Sequence, residues 1–275
     1  MSVIKPVLSM LRYPGGKQRQ LPSFVDYFPS LDKIKGRYIE PFVGGASVFF
    51  YLSPKNAILS DLNPDLIYLY KGIRYCPKKI WNVYCSLPAT KEGYYSVRDQ
   101  DLIGLDMAQR AARILYLNRT CFKGMWRHNL KGNFNVGYGG EERRWVVSED
   151  VLTDASHRLK KVDLQCCDFK KTIKTSRQGD FIFLDPPYRP GHREMDSDHF
   201  RYGKFTFEDQ QQLASVLQEA SAKGVLWAMT NSSYPDIIDL YPNHFIAFLK
   251  KSVGQGIGQV SGSGSEVFIC NYKEA

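Results

Sequence analysis

The run Phe181-Ile182-Phe183-Leu184-Asp185-Pro186-Pro187-Tyr188 carries four apolar residues straight into an acid, two prolines and an aromatic ring. The apolar part is short for a helix, and the prolines stop either kind of element. It reads as a buried strand with Asp185 and Tyr188 just past its end, where open α/β sheets bind their ligands. Asp185 supplies a hydrogen-bond acceptor and Tyr188 a flat face. The prolines have no N–H of their own, so nearby carbonyls are left to a ligand. That set suits a planar ring bearing an exocyclic amine.

A second constellation lies upstream. Glu40-Pro41-Phe42-Val43-Gly44-Gly45-Ala46-Ser47 follows a short strand and opens a helix. Glycines there let the backbone approach a ligand, and a helix N-terminus favours polar or negative groups. The next strand ends in Asp61, an acid placed to accept both hydroxyls of a ribose, as an acid roughly 20 residues on does in dinucleotide folds. The full G-x-G-x-x-G fingerprint is absent. Gly254-Gln255-Gly256-Ile257-Gly258 precedes a strand instead of joining strand to helix, so it reads as a loop and not as a phosphate cradle.

The elements that must position these groups follow from the apolar pattern. Strand-like runs lie at Gly36–Phe42, Asn56–Ser60, Val162–Cys167, Phe181–Leu184, Gly224–Asn231, His244–Lys250 and Ser265–Tyr272. Helical spacing marks Val48–Leu52, Asp65–Tyr75, Met107–Leu117 and Phe207–Ala222. The strand–helix rhythm is lost from about Pro77 to Asp154. The expected architecture is an α/β sheet in residues 1–76 and 155–275, interrupted after its second strand by a mainly helical insert, residues 77–154, with a hairpin loop at about 118–138.

The 275 residues are 43% hydrophobic, and the formal charge is +9. No stretch is apolar enough to span a membrane, and the start of the chain lacks a secretion signal. The six cysteines show no C-x-x-C pair and no zinc spacing. These features predict a reduced, cytoplasmic protein without a metal. Net positive charge points to a polyanionic partner. Between Asp106 and Glu141 there is no acid, whereas Arg110, Arg113, Arg119, Lys123, Arg127 and Lys131 alternate with Tyr116, Phe122, Trp126, Phe134 and Tyr138. That mixture predicts a nucleic-acid surface.

In these motifs the chain resembles the Dam-type DNA adenine-N6 methyltransferases, the D12 class of α-group amino-methyltransferases. Arg12-Tyr13-Pro14-Gly15-Gly16-Lys17 is similar to the family's N-terminal element beside the cofactor, which implies roles for Tyr13 and Lys17. Phe42, Gly44, Gly45, Ala46 and Ser47 match the S-adenosylmethionine loop. Asp61 and Asn63 match the ribose segment, Asp168 and Phe169 the adenine contact of the cofactor, and Asp185-Pro186-Pro187-Tyr188 the catalytic tetrapeptide. The order of motifs makes the insert the target-recognition domain. Within it Arg119, Phe122, Lys123, Met125, Arg127, Asn129 and Asn133 match the DNA-reading hairpin, Phe122 as a wedge, Met125 and Arg127 towards base edges. Lys123 stands where asparagine is usual, and Gly137 where GATC-reading members carry proline, so the target, GATC or a related site, stays open.

The resemblance implies a Rossmann-like, S-adenosylmethionine-dependent enzyme that methylates N6 of an adenine flipped from double-stranded DNA. It implies a monomer of bacterial or phage origin, with a cognate restriction endonuclease as a further partner. Asp185 and the Pro186 carbonyl would accept hydrogen bonds from both N6 protons and localise the nitrogen lone pair, while Tyr188 stacks on the base. If each bond strengthens by roughly 1.5–3 kcal/mol in the transition state, the pair supplies on the order of 10²–10⁴-fold. No metal is required, because a sulfonium is already an activated methyl donor. Cytosine N4, adenine in RNA, and a DNA-binding protein without catalysis are the alternatives.

Overall fold

A computed structural model describes residues 10–12, 16–30, 32–129, 132–142, 144–188, 205–249 and 266–272. The strands are β1 (Tyr38–Glu40), β2 (Ala57–Asp61), β3 (Val162–Cys166), β4 (Phe181–Leu184), β5 (Leu226–Ser232), β6 (Phe245–Leu249) and β7 (Glu266–Cys270). The helices are α1 (Leu21–Phe24), α2 (Ser47–Leu52), α3 (Pro64–Tyr75), α4 (Pro77–Ser86), α5 (Lys91–Asp99), α6 (Met107–Thr120), α7 (Glu149–Leu159), α8 (Phe169–Lys174), α9 (Phe207–Ala222) and α10 (Pro235–Ile238). None of the described helices is long and apolar enough to cross a membrane.

All seven strands join one sheet in the order β3-β2-β1-β4-β5-β7-β6. The first five in that order are parallel, and β7 runs antiparallel to both β5 and β6. Alternation splits the sheet between two cores. Tyr38, Leu59, Phe181 and Phe183 face the layer of α3 and α7. Ile39, Ile58, Ile182 and Leu184 face that of α8 and α9. Parallel strands covered on both faces read as continuous apolar runs, which is why β4 is Phe-Ile-Phe-Leu, buried throughout.

β1 and β4 meet at the reversal of strand order, and Arg37 and Asp180 brace their entry. Asp180 accepts from the Arg37 backbone N–H at 2.7 Å and from its guanidinium at 2.6 Å, with its own side chain fully enclosed. Gly36 admits this approach, since a Cβ there would collide with the Asp180 carboxylate.

The insert is helical as expected, but α4, α5 and α7 were not marked by the apolar pattern. The expected boundary at residue 154 falls inside α7. Ile80 and Tyr84 of α4, Tyr94 of α5 and Leu115 of α6 share one continuous core with Tyr70 and Ile73 of α3 and Leu152 of α7. A capping box between Asp106 and Gln109 starts α6. From Ala111 to Thr120 every residue of that helix is buried.

Candidate active site

The carboxyl ends of β1, β2 and β4 bring Glu40, Asp61 and Asp185 to one edge of the sheet. Gly44, in the left-handed region at φ 42°, donates its N–H to Asp61 Oδ2 at 3.0 Å, and the Asn63 N–H reaches Oδ1 at 3.0 Å. The buried Tyr70 hydroxyl donates to the Gly44 carbonyl at 2.7 Å, so α3 fixes the glycine turn from behind. Ala46 also has positive φ, 53°, and caps α2 with no side-chain bond. Ser47 opens that helix, and Gly45 stays partly open.

Burial raises the carboxyls of Asp61 and Asp185, and pushes Glu40 up to about 8, with Asp185 and Asp61 adding to the effect. Glu40 accepts the Tyr38 hydroxyl at 2.7 Å. Three acids, each disfavoured as an anion, therefore lie together at one sheet edge. Protonation of Glu40 in the fold, against an ordinary value of 4.5, contributes stability that is fully present below pH 4.5 and is lost as pH rises to about 8. Glu40→Gln is expected to abolish that decline and to melt higher than the parent at pH 8.5. Unchanged pH dependence in thermal melts would rule the effect out.

The tetrapeptide after β4 is held from several sides. Lys17 Nζ lies 2.9 Å from Asp185 Oδ1, and the Thr230 hydroxyl donates to the same oxygen at 2.9 Å. Burial alone would lower the Lys17 ammonium, but Asp185, Tyr188 and Glu266 outweigh it and hold it far above its usual range. Lys17 Nζ also sits 4.8 Å from the Tyr188 ring centroid. The Tyr188 hydroxyl donates to Glu266 Oε2 at 3.3 Å. Gln210 Nε2 donates to the Pro187 carbonyl at 3.2 Å. Among the described residues no donor reaches Asp185 Oδ2 or the Pro186 carbonyl.

The expected cofactor residues gather here with two qualifications. Asn63 lies at the site, but its side-chain oxygen caps α3 by accepting from the Asp65 and Leu66 N–H groups. Asp168 likewise caps α8 through the Lys170 N–H at 2.8 Å. Phe169 is buried and stacks on Phe42 at 5.3 Å, with Phe205 edge-on to Phe42. Tyr13, Lys131 and the Gly254–Gly258 stretch lie outside the described residues. Sequence reasoning missed Thr230, Glu266, Gln210 and Tyr70. Only Gln210 left a trace, as a polar residue in the apolar stripe that continues through Leu213, Leu217 and Ala220.

Two isolated bridges, Cys121–Tyr138 and His128–Phe134, pair the arms of the stretch where a hairpin loop is expected. Phe122 is half exposed at its base, and Lys123, Asn129 and Asn133 are exposed. One expectation needs correcting, and two further residues are engaged within the hairpin. Arg119 is 2% exposed and lies in the insert's interior, so it offers no charge to a ligand. Asn129 spends its oxygen on the turn, accepting the Asn133 N–H at 3.0 Å. Arg127 folds back on Asn135, at 2.9 Å to its side-chain oxygen. The acid-free stretch is also less of a surface than its charge implies. Arg113 is buried on the Val97 carbonyl, and Arg110 pairs with Asp65.

His128 and Asn118 join the insert to the rest of the site. His128 Nε2 lies 3.2 Å from Asp65 on the first turn of α3. Asn118 clamps the Arg12 backbone from both sides, at 2.8 and 2.7 Å, while Gly124 allows Arg12 to pack against the hairpin.

A parallel sheet with antiparallel β7 inserted beside β5, a glycine turn bonded to an acid on the next strand, and an acid-Pro-Pro-Tyr edge make up a Rossmann-like methyltransferase fold. The family model for the D12 class N6 adenine-specific DNA methyltransferases matches residues 13–252. The chain belongs to that family and is an adenine-specific DNA methyltransferase. It is 30% identical over 270 residues to the type II methyltransferase M1.LlaDCHI of Lactococcus lactis subsp. cremoris, covering 95% of this chain and 94% of that one. It is 32% identical over 221 residues to a DNA adenine methylase of Haemophilus influenzae, covering 78% and 76%. The DNA N-6-adenine-methyltransferase of Escherichia phage P1 is 35% identical over 239 residues, 85% of this chain but 31% of that longer protein.

Proposed function

We propose that this chain methylates N6 of an adenine turned out of duplex DNA, with Asp185 Oδ2 and the Pro186 carbonyl accepting the two N6 protons and Tyr188 stacking on the base. One observation carries this reading. Of the tetrapeptide's acceptors, Asp185 Oδ1 is occupied by Lys17 and Thr230 and the Pro187 carbonyl by Gln210, while Asp185 Oδ2 and the Pro186 carbonyl take no bond from any described residue. Two open acceptors at the edge of a flat ring fit an exocyclic amine with two protons to give. Withdrawing both hydrogen-bonded protons towards oxygen localises the lone pair that makes the new bond.

The acid-lined crevice fits the donor. S-adenosylmethionine supplies a methyl group on a positively charged sulfur and carries an ammonium as well. Burial disfavours the anionic forms of Glu40, Asp61 and Asp185, and a cationic ligand favours them. Asp61 would accept from the ribose hydroxyls, and the turn Gly44-Gly45-Ala46-Ser47 would lie along the ligand. Phe42 and Phe169 offer an aromatic wall, with Asp168 beside it.

A base inside a duplex is out of reach of this crevice, so it must be extruded, at a cost of a few kcal/mol. Exposed Phe122 is shaped to fill the gap, with Lys123, Met125, Arg127, Asn129 and Asn133 around it. Arg127 must first exchange Asn135 for a base edge or phosphate. The relative named as a type II methyltransferase supports a restriction–modification setting, with a cognate endonuclease as partner.

The test is to incubate the protein with labelled S-adenosylmethionine and duplex DNA, then digest to nucleosides. Label in N6-methyladenine is expected, and label in N4-methylcytosine would overturn the assignment of the acceptor. A 2-aminopurine in place of the target should brighten on binding if the base is flipped. Lys123 gives a separable result, because it is a non-glycine residue at φ 53°. Lys123→Gly should stabilise the fold by about 1 kcal/mol by removing left-handed strain. It should also weaken DNA binding and lower the salt slope by about 1. Melting and binding that shift in the same direction would contradict this.

A further inference from the structure

Gln210 is fully buried on α9, at a position where the apolar stripe of that helix calls for leucine. Both ends of its amide are engaged. Nε2 donates to the Pro187 carbonyl at 3.2 Å, and Oε1 accepts from Asn231 Nδ2 at 3.0 Å. Asn231, on β5 and also fully buried, anchors its own oxygen on the Ser232 N–H at 2.8 Å. The chain of bonds therefore runs from the end of β5 through α9 to the second proline of the tetrapeptide.

Two successive prolines remove two N–H groups from this turn, so the backbone cannot brace itself there. Something else must fix the Pro187 peptide plane, because its rotation swings the Pro186 carbonyl on one side and the Tyr188 ring on the other. Gln210 is the donor that does so. Its own position is set by a capping box, in which Thr206 and Asp209 exchange hydrogen bonds at the start of α9. A leucine would fill the same space without needing partners for two buried polar groups. The glutamine is thus better explained by what it holds than by what it packs against.

We propose that Gln210, backed by Asn231, is a positioning residue for methyl transfer. By holding the Pro187 carbonyl it aims the Pro186 carbonyl and the Tyr188 ring at the target adenine, and it touches neither substrate. This rests on the reading of Asp185–Tyr188 as the adenine-binding edge.

Gln210→Met keeps shape and removes the donor. Gln210→Glu keeps shape and restores a donor only when the buried carboxyl is protonated. Single-turnover transfer to plasmid DNA from a methylation-free host is measured with labelled S-adenosylmethionine, alongside DNA affinity, cofactor affinity and melting temperature. The expected result for Gln210→Met is a slowing of about 10²-fold, the scale of a misaligned reacting group. Both affinities should stay within about threefold and the melt should remain cooperative. Gln210→Glu is expected to gain on Gln210→Met as pH falls from 8.5 to 6.5, since burial favours its neutral, donating form. Transfer by Gln210→Met within threefold of the parent would overturn the proposal, as would Gln210→Glu matching it at every pH. A loss of rate that tracks lost folding or lost affinity assigns Gln210 to the scaffold and also overturns it. The parent is assayed first. If it leaves adenine unlabelled, the adenine-edge reading fails, whereas a labelling parent with an equally active Gln210→Met removes only the role of Gln210.

Discussion

Asp185→Ala is expected to lower methyl transfer by about 10- to 100-fold while duplex DNA binding changes by less than about threefold. The substitution removes the acceptor proposed for N6, worth roughly 1.5–3 kcal/mol in the transition state as a charged hydrogen bond. It also strips Lys17 of its ion-pair partner at 2.9 Å. A buried charge left without its partner costs about 3–5 kcal/mol. Glu266 and Tyr188 remain beside the ammonium, so the lower end applies. The melting temperature should therefore fall as well. Adding Lys17→Met to Asp185→Ala should recover much of the stability and none of the activity, which separates the two roles. Transfer above a tenth of the parent's rate in Asp185→Ala would exclude the carboxylate as an acceptor. Lost DNA binding would make it structural.

Arg144→Leu is expected to produce the largest loss of stability, about 3–5 kcal/mol. The guanidinium is 1% exposed and donates to the Tyr84 and Leu87 carbonyls at 2.7 Å each and to that of Pro88 at 2.9 Å. It also lies 5.3, 5.0 and 4.7 Å from the rings of Tyr84, Tyr116 and Trp145. Leucine takes a donor from three carbonyls at the end of α4: that of Tyr84 keeps the Leu87 N–H at 3.3 Å and that of Pro88 the Tyr116 hydroxyl at 2.9 Å, whereas that of Leu87 keeps no donor among the described residues, a desolvation cost of about 1–3 kcal/mol added to the lost charged bonds. The damage is local to the insert, so DNA binding should be lost before cofactor binding. Limited proteolysis should cut first between residues 77 and 146. Arg144→Lys should rescue little, because an ammonium is a point charge and cannot match the planar fork. Full stability in Arg144→Lys would refute that account.

The sequence showed what is local. Gly44, Asp61 and the tetrapeptide act through neighbours in the chain and stand at strand ends that apolar runs make visible. Thr230, Glu266 and Gln210 are 45, 78 and 23 residues from the tetrapeptide residues they hold. No spacing rule joins them, and only the sheet order brings them together. The basic stretch misled in a different way. Charge in a sequence does not say which side of a helix faces water, and α6 is enclosed by α3, α4 and α5 so completely that Arg113 became an internal donor and Arg119 was buried. Helices α4 and α5 were hidden because each buries few residues, two in each case, which is too few to set a clear period.

The last strand in the chain is not last in the sheet. β7 lies between β5 and β6, so among the described strands β6 has no partner until β7 arrives. Every earlier strand can pair as it emerges from the ribosome, but the sheet closes only after Glu266–Cys270 has been made. The same step brings Glu266 against Tyr188. Completion of the sheet and completion of the contacts around the tetrapeptide are thus one event in synthesis. A chain cut short before β7 would expose two strand edges and lack one of the groups that holds the tetrapeptide.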